Sequence, residues 1–257
     1  MTDHLLIHRD EAIATITLNR PDKRNALSAQ LMGDLAGAVA ELDADEQVRC
    51  MILTGADPAF CAGFDLKNLR GELTQTKSLR REDGAIGRGL LPSHDTPIIG
   101  AINGPAITGG LELAMACDFL VASDHARFAD THGLVGVMPG GGMSIRLPEL
   151  IGIDRARRMS LTGDLIDATT AYQWGLVTEV VPHEDLLSRA ATLARTVAQR
   201  DPRTMSELRR VYEVIAGLRG DDAWAREREW NRSWMSTHFR DEGFDPEAVI
   251  ERGSRQA

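Results

Sequence analysis

The sequence is poor in cysteine and offers no pattern for cross-linking. Its 257 residues include three cysteines, Cys50, Cys61 and Cys117, an odd number with no CxxC spacing. This argues against a disulfide framework. Each cysteine lies in or beside an apolar run, so we expect three reduced, buried thiols in an intracellular protein.

The chain also lacks an excess of positive charge and a long apolar run. It has 38 acidic against 29 basic residues, a net charge of -9. This balance argues against a general affinity for nucleic acid or for an anionic membrane surface, so a polyanionic ligand would need a local basic site. No stretch approaches the roughly 18 apolar residues of a membrane span, and the N-terminus MTDHLLIHRD does not resemble a signal peptide. We therefore expect a cytoplasmic protein with neither nucleic acid nor membrane as a partner.

Hydrophobic residues make up 43% of the chain, enough for the core of one domain or of one domain with a small appendage. Short runs rich in β-branched residues predict strands at 5–7, 12–18, 48–53 and 97–102. Apolar residues at helical spacing predict helices at 28–42, 110–117, 141–151, 153–162, 168–174, 186–199 and 203–216. This recurrence predicts an α/β fold with stacked strands backed by helices. We place a boundary near Pro182, which separates a mixed core (1–182) from a helical C-terminal region (183–257).

Two glycine-bearing turns, 59–66 (AFCAGFDL) and 103–110 (NGPAITGG), each follow a predicted buried strand. In the second, a helix opens within the glycine pair, so its first amides lack acceptors and lie at the positive end of the helix dipole. Two amides from separate turns can jointly hold a carbonyl oxygen as it becomes an enolate, each contributing about 3 to 4 kcal/mol. Taken singly, either turn is better explained as a tight connection with close backbone packing and no chemical role.

Four strings resemble the enoyl-CoA hydratase/isomerase family, the crotonases, in their order and their intervals. They are NRPDKRNAL, ADPAFCAGFDL, AINGPAITGGLELAMACDFLVAS and GVMPGGG. The resemblance runs from about Leu5 to Pro182, and it continues more faintly in HFRDEGFDPEAVIER, which is similar to the terminal helix signature of that family.

The resemblance implies a crotonase-like core of repeated ββα units with a helical C-terminal trimerisation region, assembled as a homotrimer or a dimer of trimers. It places the amides of an oxyanion hole on Phe64 and Gly109. It implies an acyl-CoA thioester substrate, no metal, and no cofactor other than the coenzyme A that the substrate carries.

The resemblance also implies a set of contacts to the coenzyme A nucleotide and pantetheine: Arg24, Ala26, Leu27, Ala62, Asp65 and Leu66. Arg24 suits a phosphate because a guanidinium pairs bidentately with phosphate oxygens, although a solvated surface charge is the alternative. The segment 67–94 is expected to border the acyl pocket, and its arginines are expected to be solvated. Leu90, Leu91 and Met138 either line an acyl channel or belong to the core.

Glu112 is the first candidate for proton transfer. It lies in the first turn of an otherwise apolar predicted helix, LELAMAC. Burial beside a dry acyl pocket would raise its pKa toward neutrality and suit it to acid/base catalysis. The alternative is a carboxylate that only interacts with the helix dipole.

The second catalytic position departs from the family. Hydratases of this family typically carry another glutamate 20 residues after the first, in a segment resembling FGxPE, whereas this sequence reads FADTH and has His132 there. Imidazole transfers protons near pH 7, so Glu112 and His132 together could hydrate a double bond. Asp130 either orients His132 or acts itself, since residues two apart on a strand share a face. The alternative is a packed, hydrogen-bonded histidine in an enzyme that needs only Glu112.

The leading functional prediction is enoyl-CoA hydratase. Enoyl-CoA isomerase is the first alternative, because moving a proton between carbons needs one carboxylate. Hydrolysis of a thioester or carbon–carbon bond, and an acyl-CoA-binding protein without turnover, also remain open. RNA binding is disfavoured by the acidic balance.

Overall fold

The computed structural model describes residues 3–65 and 89–238. The strands are β1 (Leu5–Asp10), β2 (Ile13–Leu18), β3 (Cys50–Gly55), β4 (Ile98–Ile102), β5 (Ala106–Ile107), β6 (Phe119–Ser123), β7 (Arg127–Ala129), β8 (Ile166–Asp167) and β9 (Glu179–Val181). The α-helices are α1 (Ala29–Asp43), α2 (Gly109–Met115), α3 (His132–Val135), α4 (Met143–Ile151), α5 (Ile153–Thr162), α6 (Ala168–Trp174), α7 (Leu186–Ala198), α8 (Pro202–Ile215) and α9 (Gly220–Thr237).

The larger sheet contains six strands in the order β1-β2-β3-β4-β6-β9. Strands β1 and β2 form an antiparallel hairpin, and the other neighbouring pairs are parallel. Strands β3 and β4 are buried along their whole lengths, as is typical of parallel strands covered on both faces. Because β3 and β4 are parallel neighbours, the two glycine turns that follow them leave the same edge of the sheet.

A smaller sheet of three strands, in the order β5-β7-β8, lies beyond that edge. Strands β5 and β7 are parallel, with Ala106 opposite Phe128 and Ile107 opposite Ala129. Both strands end at these pairs. The residues that follow them, Thr108 on one side and Asp130 on the other, are therefore brought side by side although they are distant in the sequence.

Helix α1 shows how far local patterns specify the structure. The Ser28 side chain accepts a hydrogen bond from the Leu31 N–H at 3.2 Å and caps the helix, as predicted. The apolar residues at helical spacing, Leu31, Leu35, Val39 and Leu42, are all buried. The predicted helix is confirmed to within one residue at each end.

The chain divides into two compact units, Met1–Ser206 and Glu207–Ala257. This differs from the predicted boundary near Pro182. Helix α7 follows that proline and buries Leu186 and Ala190 in an apolar cluster with residues of β3, β4 and β6. Since α7 covers one face of the larger sheet, it belongs to the first unit.

In the second unit the described residues end with α9, which lies in the predicted helical C-terminal region but was not predicted as a separate helix. The indole N–H of Trp230 donates to Glu207 Oε2 at 2.9 Å, and the Arg226 guanidinium lies over the Trp230 ring. Nearly all of the predicted terminal signature lies outside the described residues. Within the described ranges, no helix has both the length and the apolar character needed to cross a bilayer.

Candidate active site

In the first glycine turn, the main-chain N–H of Phe64 points away from Leu27, the residue that is paired with Phe64. Phe64 forms an isolated parallel bridge with Leu27. The Leu27 N–H donates to the Gly63 carbonyl at 2.8 Å, and the Asp65 N–H donates to the Leu27 carbonyl at 3.0 Å. Because amides alternate in direction along an extended segment, the Phe64 N–H points to the other side. It donates to no acceptor among the described residues.

Gly109 supplies the second amide. It is the first residue of α2, where an N–H has no acceptor within its own helix. A Cβ placed on Gly109 would lie 3.4 Å from the Phe64 nitrogen, and a Cβ placed on Gly63 would lie 3.4 Å from the Gly109 nitrogen. The two amides predicted to form the oxyanion hole therefore adjoin one another.

Two buried asparagines support these turns, and sequence reasoning missed both. Asn25 is fully buried, and its Nδ2 donates to the Ala59 carbonyl at 2.7 Å. Asn103 accepts from the Gly55 N–H at 3.2 Å and donates to Asp57 Oδ1 at 2.8 Å. Both lie within the strings that carry the family resemblance, which is the one signal that could have identified them.

The segments predicted to contact coenzyme A adjoin each other. The residues predicted there are Arg24, Ala26, Leu27, Ala62, Asp65 and Leu66. The Ala62 N–H donates to the Arg24 carbonyl at 3.0 Å, next to the bridge between Leu27 and Phe64. The Arg24 side chain is exposed, whereas Leu27 is fully buried and both of its main-chain groups are hydrogen-bonded to the facing segment. Leu66 lies outside the described residues.

Glu112 is a buried carboxylate on α2, with 1% of its surface exposed. Its Oε1 accepts hydrogen bonds from the main-chain N–H groups of Gly141 at 2.8 Å and Met143 at 3.2 Å. A Cβ on Gly141 would come within 2.8 Å of Glu112 Oε2. Gly141, in the GVMPGGG string, has no side chain, and this allows the loop to approach the carboxylate of Glu112.

Burial raises the pKa of Glu112 above its ordinary value. The two main-chain hydrogen bonds oppose this shift, as does the nearby charge of His132, whereas the charge of Asp130 adds to it. Glu112 therefore shares an electrostatic environment with His132 and Asp130. A carboxyl group with a raised pKa can accept and return a proton at neutral pH.

His132 and Asp130 form one hydrogen-bonded pair. His132 Nδ1 lies 2.6 Å from Asp130 Oδ1, and the His132 main-chain N–H donates to the same oxygen at 3.1 Å. The other carboxylate oxygen, Oδ2, accepts from the Ser160 hydroxyl at 2.5 Å. Asp130 is fully buried, and it orients the imidazole, one of the two roles that the sequence left open. His132 Nε2 has no hydrogen-bond partner within the described part of the chain.

The reason for this pairing differs from the one expected. Strand β7 ends at Ala129, and His132 is the first residue of the short helix α3, so the two side chains do not share a strand face. Asp130 instead reaches forward over a tight turn to the N–H and the ring of His132, a common local habit of aspartate. Only the folded turn shows that these groups meet.

The residues considered for an acyl channel fall in two different environments. Leu90 and Leu91 are buried in the main apolar cluster, whereas Met138 is 82% exposed. The three cysteines are all buried, as predicted, and burial raises the pKa of Cys50 and of Cys61 to about 12. Among the described residues, no group of three or more His, Cys, Asp or Glu side chains is arranged to hold a metal ion.

Comparison with known proteins supports the same interpretation. The family model for enoyl-CoA hydratase/isomerase matches residues 8–250. A probable enoyl-CoA hydratase from Mycobacterium tuberculosis is 42% identical over 195 residues, which cover 76% of this chain and 75% of that protein.

Solved structures agree with the predicted fold. The enoyl-CoA hydratase from Mycobacterium smegmatis superposes with a TM-score of 0.75 at 44% identity, covering 90% of this chain and 100% of that one. An enoyl-CoA hydratase subunit from Geobacillus kaustophilus gives a TM-score of 0.85 at 32% identity, covering 97% and 95%. The predicted crotonase-like fold is thus confirmed. Because the family model spans nearly the whole chain, the chain belongs to the enoyl-CoA hydratase/isomerase family.

Proposed function

We propose that this protein is an enoyl-CoA hydratase, which adds water across the 2,3 double bond of a trans-2-enoyl-CoA. The observation that carries the proposal is the meeting of the Phe64 and Gly109 amides, which have no acceptor among the described residues, one helical turn before a buried Glu112 whose pKa is affected by His132. The amides suit an oxygen that gains negative charge, and the two side chains suit a water molecule that must lose one proton while the substrate gains another.

The amides act on the thioester carbonyl. Hydrogen bonds from Phe64 and Gly109 polarise the carbonyl, which draws electrons from the double bond and makes C3 electrophilic. The water oxygen then bonds to C3, and the electron pair of the double bond moves to form the enolate. Donors fixed by the backbone need no rearrangement as the charge develops, which is why they stabilise this intermediate strongly.

Glu112 and His132 handle the protons. Glu112 in its ionised form takes a proton from the attacking water and returns it to C2 when the enolate collapses, so that the net change is the addition of one water. His132 shares this work through Nε2, since Asp130 already holds its Nδ1. An imidazole in this arrangement has a fixed orientation, as in other sites where a buried aspartate holds a histidine.

Coenzyme A binds along the paired segments that contain Arg24, Ala26 and Leu27 on one side and Ala62, Asp65 and Leu66 on the other. The exposed guanidinium of Arg24 pairs with a phosphate of the nucleotide. The thioester lies beside Phe64, because Phe64 is part of the second of these segments.

The protein assembles as a homotrimer or a dimer of trimers. Large apolar side chains on α3, on α5 and in the loop after α3 are exposed: Leu134 at 69%, Met138 at 82% and Leu161 at 82%. Exposed apolar residues on neighbouring elements are typical of surfaces that another chain covers. Light scattering is expected to give three or six times the 28.1 kDa chain mass, and a monomeric mass would contradict the proposal.

An assay with crotonyl-CoA tests the reaction. The conjugated enoyl absorbance is expected to fall as 3-hydroxybutyryl-CoA forms, and mass spectrometry would show the gain of one water. Formation of a 3-enoyl isomer without gain of water, from a longer enoyl-CoA, would point to the isomerase. The isomerase is the weaker candidate, because His132 is held as a second proton-transfer group close to Glu112.

A further inference from the structure

A pair of threonine hydroxyls joins the two chain segments of the site. Thr108 Oγ1 and Thr131 Oγ1 lie 2.6 Å apart, and the Thr131 N–H donates to Thr108 Oγ1 at 2.9 Å. We call these two hydrogen bonds the threonine clasp. The Thr108 N–H also donates to the Ala129 carbonyl at 2.8 Å. The clasp therefore extends the pairing of β5 and β7 beyond the ends of both strands, with a side-chain hydroxyl in place of a main-chain acceptor.

Thr108 holds an unfavourable backbone conformation at this point. Its φ is +53° and its ψ is -108°, a region that a β-branched residue normally avoids and that glycine adopts without steric cost. Its carbonyl accepts from the Glu112 N–H at 2.9 Å. Strain of this kind persists where the surroundings over-determine the conformation, and it is concentrated at functional sites. Because glycine would fit the backbone better, the hydroxyl is what threonine contributes here.

The clasp lies between the two halves of the site. Thr108 directly precedes Gly109, and Thr131 lies between Asp130 and His132. A Cβ on Gly63 would lie 3.7 Å from Thr108 Cβ, so the turn that carries the Phe64 amide also packs on the clasp. One pair of hydroxyls therefore spans the distance from the oxyanion amides to the histidine pair.

We propose that Thr108 and Thr131 are positioning residues, which hold the His132 ring at a defined distance from the Gly109 amide. This rests on the proposed function, since that function assigns the carbonyl to Gly109 and a proton to His132. The hydrogen bonds of the clasp join the segments of these two groups and involve no residue of the coenzyme A segment, which touches the clasp only through packing. Loss of the clasp should therefore lower kcat and leave binding of the ester unchanged.

Thr131→Val tests the clasp, because valine keeps the shape and removes the hydroxyl. We expect kcat for crotonyl-CoA to fall about tenfold, since small misplacements of a reacting group have large effects on rate. KM and the affinity for the unreactive ester butyryl-CoA should stay within about twofold. Thr131→Ser is the matched control, and it should retain most of the wild-type kcat. If the serine variant is as slow as the valine variant, the hydroxyl is not the cause.

A double-mutant cycle separates positioning from a general structural effect. In a His132→Gln background, Thr131→Val should cause little further loss, because the group that it positions is already gone. Equal factors in both backgrounds would overturn the positioning role. Thermal unfolding of each variant shows whether the fold is intact.

Crystal structures of the wild type and Thr131→Val give a readout that does not depend on the reaction. The imidazole of His132 is expected to move relative to the Gly109 amide, whereas the Phe64 turn stays in place. If the imidazole does not move, the proposed positioning role of the clasp is wrong, whatever reaction the enzyme catalyses. A moved imidazole in a protein that fails to hydrate any enoyl-CoA would overturn the proposed function alone.

Discussion

The half of the site that we propose polarises the carbonyl consists of main-chain amides, whereas the half that we propose transfers protons consists of side chains. The amides of Phe64 and Gly109 depend on glycines and on the order of strands, and they follow the pattern of the family. The side chains depart from that pattern, because His132 stands where related hydratases typically carry a glutamate. Because these amides belong to the main chain, the side chains around them can change without removing them. The same means of activating a thioester can therefore occur with a different set of acids and bases.

Glu112→Gln, in the half that consists of side chains, should have the largest effect on turnover. We expect kcat to fall by roughly 10³-fold, in the range typical of a lost general acid/base, while butyryl-CoA still binds. The amide oxygen of glutamine can still accept from Gly141 and Met143, so the site keeps its shape. Steady-state kinetics and calorimetry measure the two quantities. Glu149→Gln, on the exposed face of α4, is the matched control and should change neither.

Gly109→Ala tests the other half of the site. The new methyl group would lie 2.7 Å from the Phe64 ring, so the ring must shift, and we expect the turn that carries the Phe64 amide to shift with it. We expect kcat to fall about a hundredfold, comparable with the loss of one oxyanion donor. Gly33→Ala is the control, since nothing lies within 4 Å of its added Cβ. If turnover is unchanged in Gly109→Ala, the assignment of the oxyanion hole to these two amides is wrong.

The pH dependence of kcat/KM distinguishes the effects of His132 and Asp130 on the pKa of Glu112. Glu112 must be ionised to accept a proton, so activity falls as the pH drops through its raised pKa. His132 lowers that pKa and Asp130 raises it. In the residual activity of His132→Gln the acid limb of kcat/KM should therefore move to higher pH, and in Asp130→Asn to lower pH. Shifts in the same direction would contradict the arrangement, and profiles of kcat/KM against pH measure them.

Arg24→Ala should have the smallest effect, and it acts outside both halves. We expect KM for crotonyl-CoA to rise about tenfold with kcat unchanged, because a phosphate contact is lost equally from the ground state and the transition state. A crotonyl thioester of N-acetylcysteamine lacks the nucleotide and should not distinguish the variant from wild type. Lys23→Ala, the neighbouring exposed cation, is the control. If Arg24→Ala raises KM equally for both thioesters, Arg24 does not contact the nucleotide.

Much of the fold and one half of the site were predictable from local patterns. The Ser28 cap and the apolar spacing of α1 are decided within a few residues, so the sequence predicted the helix almost to the residue. The resemblance of the two glycine turns to the family placed the proposed oxyanion amides on Phe64 and Gly109, and the structure brings these two amides side by side. Glu112 was predictable for the same reason, since its position in α2 follows directly from the second turn.

Long-range packing decided the features that sequence reasoning missed. Asn25 holds a turn more than 30 residues away, and nothing in its own segment indicates this partner. The boundary predicted near Pro182 was displaced because the sheet to which α7 packs is formed by strands much earlier in the chain. Propensity and spacing describe what a segment can form and not what it will contact.

By itself, the sequence predicted the crotonase fold and membership of the family, and it has His132 at the position where the resemblance implies a second glutamate. These properties reside in residue identity and local order. Only the tertiary structure decided that Asp130 holds the ring of His132 and that Thr108 meets Thr131. The physical reason is that β5 and β7 pair for only two residues, and the turns beyond them are shaped by side-chain hydrogen bonds that form when the strands come together.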